Sequence, residues 1–169
     1  MIIMGAPKKH RRKYSGPKKP YDRSRLERER KIRQEFGLRR KKEIWRTEGM
    51  LRKFRQRARE LQAKPNEQEQ KLLFDKINKM GISCSKLEDV LVIELQDVLS
   101  RRLQTIVFKK GLAHTPQQAR QYIVHGHVFI DGRKAVWPSY IVEMGQEDRI
   151  SLNAKITQVQ LKEQEGEKK

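Results

Sequence analysis

The sequence predicts an α+β chain with four parts in order: a basic extended arm, a mostly helical region, a compact αα-plus-small-antiparallel-sheet unit, and a polar, disordered tail. Three observations predict it. Pro and Gly punctuate the first residues among closely set Lys and Arg. Apolar residues then recur at spacings of three and four, the period of an amphipathic helix. Near the end, Val128-Phe129-Ile130 runs into Asp131-Gly132, the dipeptide that favours a type I′ hairpin. The boundaries expected are 1–21 for the arm, 22–98 for the helical region, 99–152 for the compact unit and 153–169 for the tail.

Charge sets the class of partner. The 169 residues carry a formal net charge of +19, with hydrophobic and charged residues each at 36%. A single large core is therefore not expected. Residues 1–64 hold 24 Lys and Arg against 7 Asp and Glu, a net of +17, whereas 65–100 are net −3, 101–135 net +6 and 136–169 net −1. Such asymmetry calls for a polyanion, and nucleic acid fits better than a membrane surface, because the basic segments lack a broad apolar helical face. A lone cysteine, Cys84, allows no disulfide framework within the chain and no zinc ribbon. No run of apolar residues is long enough to span a bilayer. The expected compartment is the reducing cytoplasm.

Taken in order, Gly5, Pro7, Gly16, Pro17 and Pro20 forbid regular structure in the arm, whose like charges repel in water. Its Lys8, Lys9, Arg11, Arg12 and Lys13 are expected to order against phosphates. Ser24 and Glu27 fit a capping box for a helix ending near Phe36, with Gly37 just beyond. That helix is so polar that it needs a partner to hold it. Ile44, Thr47, Leu51, Phe54, Ala58 and Leu61 then draw one narrow apolar seam, with Arg46, Arg52, Lys53, Arg55, Arg57 and Arg59 over the remaining surface. Trp45 and Phe54 read as packing anchors. Lys64-Pro65 stops this helix, and Asn66 caps the next, whose Leu73, Ile77 and Met80 share a face before Gly81. Ser85-Lys86-Leu87-Glu88 repeats the capping pattern, after which Val90 to Ile93 is either helix or short strand.

In the compact unit, Leu99, Leu103, Ile106 and Val107 form one helical face, with Arg101, Arg102, Lys109 and Lys110 off it and Gly111 at the end. Thr115 at the N-cap, Pro116 at the first helical position and Gln118 at the third start another helix. Its inner face is Ala119, Tyr122 and Ile123, and Arg120 and Gln117 point away. Gly126 closes it. The hairpin returns through Arg133 to Trp137, and Ile150-Ser151-Leu152 is a candidate third strand.

The pattern RRL-x₇-GLA-x-T-x₃-AR-x₂-I-x₂-G-H-V-x-I-D-G across residues 101–132 resembles the S-four RNA-binding domain. GAPKKHRRKY near the start, EFGLRRKKEIWR at 35–46 and VLSRRLQTIVFKKGLAHT at 98–115 extend the resemblance to the small-subunit ribosomal proteins of the S-four family. They are most similar to its archaeal and eukaryotic cytosolic branch. The resemblance covers about Gly5 to Leu152. It implies a protein that binds small-subunit ribosomal RNA directly and early, nucleates assembly of the subunit body and contributes to decoding accuracy. It also implies neighbouring small-subunit ribosomal proteins and a place near where mRNA enters. It maps an RNA face onto Arg101, Arg102, His114, Thr115, Gln117, Gln118, Arg120, Arg133 and Lys134. The basic character of the chain adds Lys109 and, before the unit, Arg39, Arg40, Arg52, Lys53 and Arg55.

A helix start offers free amides and a positive dipole end for phosphate, and Arg grips phosphate bidentately. The competing reading for Arg101 and Arg102 is a solvated face or an ion pair with Glu94 or Asp97. No Walker loop, nucleophile elbow or dinucleotide fingerprint is present. His125 and His127 lack a third ligand at metal spacing, so no metal, cofactor, enzymatic activity or homo-oligomer is expected. The alternative function is a ribosome-associated RNA-binding stress or assembly factor.

Overall fold

The computed structural model describes residues 14–153. Lys8, Lys9, Arg11, Arg12 and Lys13 of the arm, and the tail beyond residue 153, lie outside the described residues. Helix α1 spans Arg23–Glu35. Its N-cap is Asp22, not Ser24, because the Ser24 hydroxyl donates to Asp22 Oδ1 at 2.9 Å and sits inside the first turn. At its other end Gly37 takes a φ of +59°, the left-handed conformation that ends helices and favours glycine. Ile32 and Phe36 are its apolar anchors, packed with Leu38, Ile44 and Leu99. The partner this polar helix needs is the next one. Glu29 is buried, accepts a hydrogen bond from Trp45 Nε1 at 3.0 Å, and stands 3.4 Å from both Arg25 and Lys41.

Helix α2, Lys41–Ala63, buries the six seam residues Ile44, Thr47, Leu51, Phe54, Ala58 and Leu61. Each large apolar side chain so buried contributes about 1.5–3 kcal/mol, against about 0–1 for an exposed ion pair. The seam, not the charged flank, therefore holds α2 in place. Its lower half packs on Leu73 and Ile77 of α3 (Glu67–Lys79), on Cys84, and on Val90 of α4 (Leu87–Val92). Asn66 caps α3 by accepting from the Gln68 amide at 3.2 Å. The capping acid of α4 is Asp89, one residue later than expected; it accepts from the Ser85 and Lys86 amides, which pull its carboxyl below the usual range. Val90 to Ile93 resolves as the end of this helix and its C-cap.

The face of Leu99, Leu103, Ile106 and Val107 is buried as expected, but two helices supply it, α5 (Leu95–Ser100) and α6 (Leu103–Lys109). The chain breaks at Arg101 and Arg102, where it bridges to the strand-like segment around Ile141. Leu103 N donates to Tyr140 O at 2.8 Å and Val142 N to Arg101 O at 3.0 Å. Helix α7, Pro116–Val124, packs on α6. Strands β1 (Val128–Ile130), β2 (Arg133–Ala135) and β3 (Ile150–Leu152) form an antiparallel sheet in the order β2-β1-β3. The register pairs Ile130 with Arg133, so Asp131 and Gly132, at φ +50° and +75°, form the two-residue turn that the sequence predicts. Leu103, Ile106, Val107, Ala113, Ala119, Ile123, Val128, Val142 and Ile150 make a core of their own beneath this sheet.

Candidate nucleic-acid interface

The second core and the helical region are joined by a polar cluster that begins at Glu43. Helix α2 starts one turn earlier, so Glu43 accepts from the Arg40 amide at 3.3 Å, an ordinary capping contact. The same carboxylate reaches across to the compact unit. Arg102 Nη2 donates to Oε2 at 2.6 Å, and Arg120 donates through both terminal nitrogens at 3.1 Å. Glu43 is 17% exposed and Arg102 6%. Burial pushes the Glu43 carboxyl up, but the hydrogen bonds from Arg120 and Arg102 outweigh it and hold the group below its usual range. Burial likewise draws the Arg102 guanidinium down from its ordinary value, although guanidinium remains charged at any physiological pH.

Gln104 completes the cluster. It is fully buried on α6, beside Leu103 and Thr105. Its amide donates to Gly37 O at 2.9 Å and Pro116 O at 2.8 Å, and its carbonyl accepts from Arg120 Nη1 at 3.3 Å. One side chain thus satisfies carbonyls at the end of α1 and at the start of α7. Gly37 sits against this contact: a Cβ there would lie 2.7 Å from Pro116 Cβ and 2.9 Å from Gln104 Nε2.

This arrangement sorts the cations expected at an RNA face. Arg101 pairs with Glu147 and reaches Val142 O, Arg102 and Arg120 share Glu43, and Lys110 reaches Glu147 O and Asp148. The Arg101 and Arg102 partners are therefore Glu147 and Glu43, not Glu94 or Asp97. Arg120 turns inward to the helical region, contrary to the outward direction its helical position suggested. Arg55 Nη2 donates to Ile93 O at 2.6 Å.

The other expected residues stand at the surface. Arg39 and Arg40 are exposed on the α1–α2 connection, Arg52 and Lys53 on α2, Lys109 at the end of α6, and Arg133 and Lys134 on β2. Arg52, Arg55 and Arg59 line a groove of about 610 Å³ with Glu48, Gln56 and Leu95. At the start of α7, Thr115 Oγ1 accepts from the Gln118 amide at 3.1 Å, and Gln118 Oε1 from the His114 amide at 2.8 Å. His114, Thr115 and Gln117 are exposed there, at the positive end of the helix dipole. Among the described residues no group of three or more His, Cys, Asp or Glu is placed to hold a metal ion. No helix there is long and apolar enough to cross a membrane.

The S4 domain model matches residues 101–148, the stretch from Arg101 through the hairpin to the loop before β3. The small ribosomal subunit protein uS4 of Hyperthermus butylicus is 47% identical over 152 residues, covering 87% of this chain and 86% of that protein. The chain belongs to the uS4 family. The uS4 protein of Sulfurisphaera tokodaii is 48% identical over 155 residues, covering 88% of each chain. That of Methanothermobacter thermautotrophicus is 44% identical over 154 residues, covering 88% of this chain and 90% of its own. All three sources are archaeal, the side of the family that the sequence resembles. In this uS4-family chain the Glu43 cluster ties the S4 domain to the helices before it. Sequence reasoning missed Glu43 and Gln104. The one signal was a lone acid between Arg39 and Arg46; Gln104, between Leu103 and Thr105, had none.

Proposed function

We propose that the chain is a structural constituent of the small ribosomal subunit that binds small-subunit ribosomal RNA directly. The observation that carries this reading is identity of 44–48% along nearly the full length of proteins named for that subunit. The distribution of free cations supports it. Arg39, Arg40, Arg52, Lys53, Lys109, Arg133 and Lys134 are exposed on both halves, with His114, Thr115 and Gln117 at a helix start. The Glu43 cluster joins the two halves that carry them. A-form RNA hides its major groove, so backbone and shape contacts dominate over base readout.

On this reading the exposed cations meet phosphate. Arg101, Arg102 and Arg120 contribute by fixing the junction, and the arm residues Lys8, Lys9, Arg11, Arg12 and Lys13 add charge. The role is structural, without catalysis. The protein acts in the cytoplasm, binds early, nucleates the subunit body, touches neighbouring ribosomal proteins and bears on decoding accuracy near the path of mRNA. Chemical footprinting of small-subunit ribosomal RNA with and without the protein tests it. Protection clustered at one helix junction, with the protein retained on small subunits through moderately high salt in a gradient, is expected. Uniform weak protection, with release at low salt, would point instead to a transient stress or assembly factor.

A further inference from the structure

One surface feature has no part in the core or the junction and borders the phosphate face at Arg133. β2 runs into the turn Trp137-Pro138-Ser139-Tyr140, closed by Tyr140 N donating to Trp137 O at 3.1 Å. Trp137 is 70% exposed and Tyr140 38%. Tyr140 is pinned at both ends: its carbonyl accepts from Leu103 N, and its hydroxyl donates to Gln146 Oε1 at 3.1 Å. These two rings line a groove of about 480 Å³ together with Arg133, Lys134 and Gln146. That volume lies within the range of about 300–1,000 Å³ common for small-ligand sites.

The charge of the groove narrows its occupant. The acid on its rim, Asp131, is 3.2 Å from Arg149 and already paired. Arg133 and Lys134 have no carboxylate partner among the described residues, and both are exposed. A flat aromatic surface beside a free guanidinium, Arg133, suits a ligand carrying a π-face and a phosphate in one unit; Lys134, next on the strand, lies over Gly126 instead. An unpaired nucleotide is that ligand: its base stacks on the ring and its backbone meets the guanidinium. A protein partner would have to bring an apolar knob and carboxylates separately.

We propose that Trp137 and Tyr140, with Arg133, form a stacking site for one unpaired RNA nucleotide. The site deepens the reading of the chain as an RNA-binding protein and rests on it. It adds recognition of a splayed base to a surface otherwise reading backbone and shape. Trp137 is the stacking platform, and Tyr140, held by Gln146, is the fixed wall of the groove.

The test uses the full chain and small-subunit ribosomal RNA, with tryptophan emission compared between wild type and W137F. Trp45, hydrogen-bonded to Glu29, is then the internal reference in both. Neither W137F nor W137L removes a core side chain. Quenching of the Trp137 component on RNA binding is expected. W137L should weaken binding about 5- to 150-fold, the span of one missing base stack, and W137F should recover most of it. A second arm adds single-stranded oligouridine to the preformed complex. Quenching in the first arm assigns the nucleotide to ribosomal RNA, and quenching only in the second assigns it to a passing single strand; either supports the site. No quenching in either arm with W137L binding unchanged overturns it, as does quenching that appears only when other small-subunit proteins are added. Failure of the wild-type chain to prefer ribosomal RNA over an equally charged competitor overturns the wider reading as well, and is told apart because binding itself is lost.

Discussion

Glu43 ties the compact unit to the helical region. It receives two guanidiniums from the compact unit while capping its own helix. Removing one partner of a buried ion pair leaves the rest uncompensated, at a cost of about 3–5 kcal/mol. E43Q should therefore lower the unfolding free energy by an amount in that range, read as a lower urea midpoint at unchanged m-value, with circular dichroism unchanged at low denaturant. The pH dependence follows from the sign of the shift. The folded carboxyl lies below its ordinary value, so its contribution is fully present above the unfolded pKa of about 4.3. That contribution is lost as pH falls through the lower folded value. Stability measured from pH 6 downward should decline more steeply in wild type than in E43Q. Glu43 passed unnoticed in the sequence because its partners lie 59 and 77 positions away, and no local pattern links them.

At the scale of elements, two left-handed glycines are placed differently, and only one of them lies at the junction. Gly37 and Gly111 have φ of +59° and +70°, but only at Gly37 would a Cβ meet the Pro116 side chain and Gln104; at Gly111 the space is open. G111A should cost only the conformational strain, about 1–2 kcal/mol. G37A should cost clearly more, and thermal unfolding of the pair measures the difference. T115A should cost about 1 kcal/mol by removing the cap on α7.

What was legible here was what local chemistry determines. The α2 seam is a clean 3.6-residue period in a helix packed along one stripe, so all six of its residues are buried where the sequence put them. Asp131-Gly132 and Thr115-Pro116 were equally legible, because positive φ and amide capping select residue types directly. The break between α5 and α6 was not. Apolar spacing continues across Arg101 and Arg102, and the interruption comes from backbone pairing with Tyr140 and Val142, some forty residues on. The same tertiary pull turns Arg120 inward. A helical position gives the direction of a side chain but not the carboxylate that waits there.

For the whole molecule, the central claim is a division of labour among cations: those paired inside fix the junction, and those free outside meet RNA. The measurement that separates the two is the salt dependence of ribosomal RNA binding, taken beside unfolding midpoints for two variants. One is R52Q/K53Q/R133Q/K134Q, which removes free surface charge. The other is R102Q/R120Q, which removes the partners of Glu43. The expected result is a slope shallower by about 0.7–0.9 for each phosphate that the first variant no longer neutralises, at an unchanged midpoint. In the second, a lowered midpoint should accompany an unchanged slope under conditions where the protein is folded. A slope that falls in R102Q/R120Q while its midpoint holds, and stays put in the surface variant, would contradict the division outright.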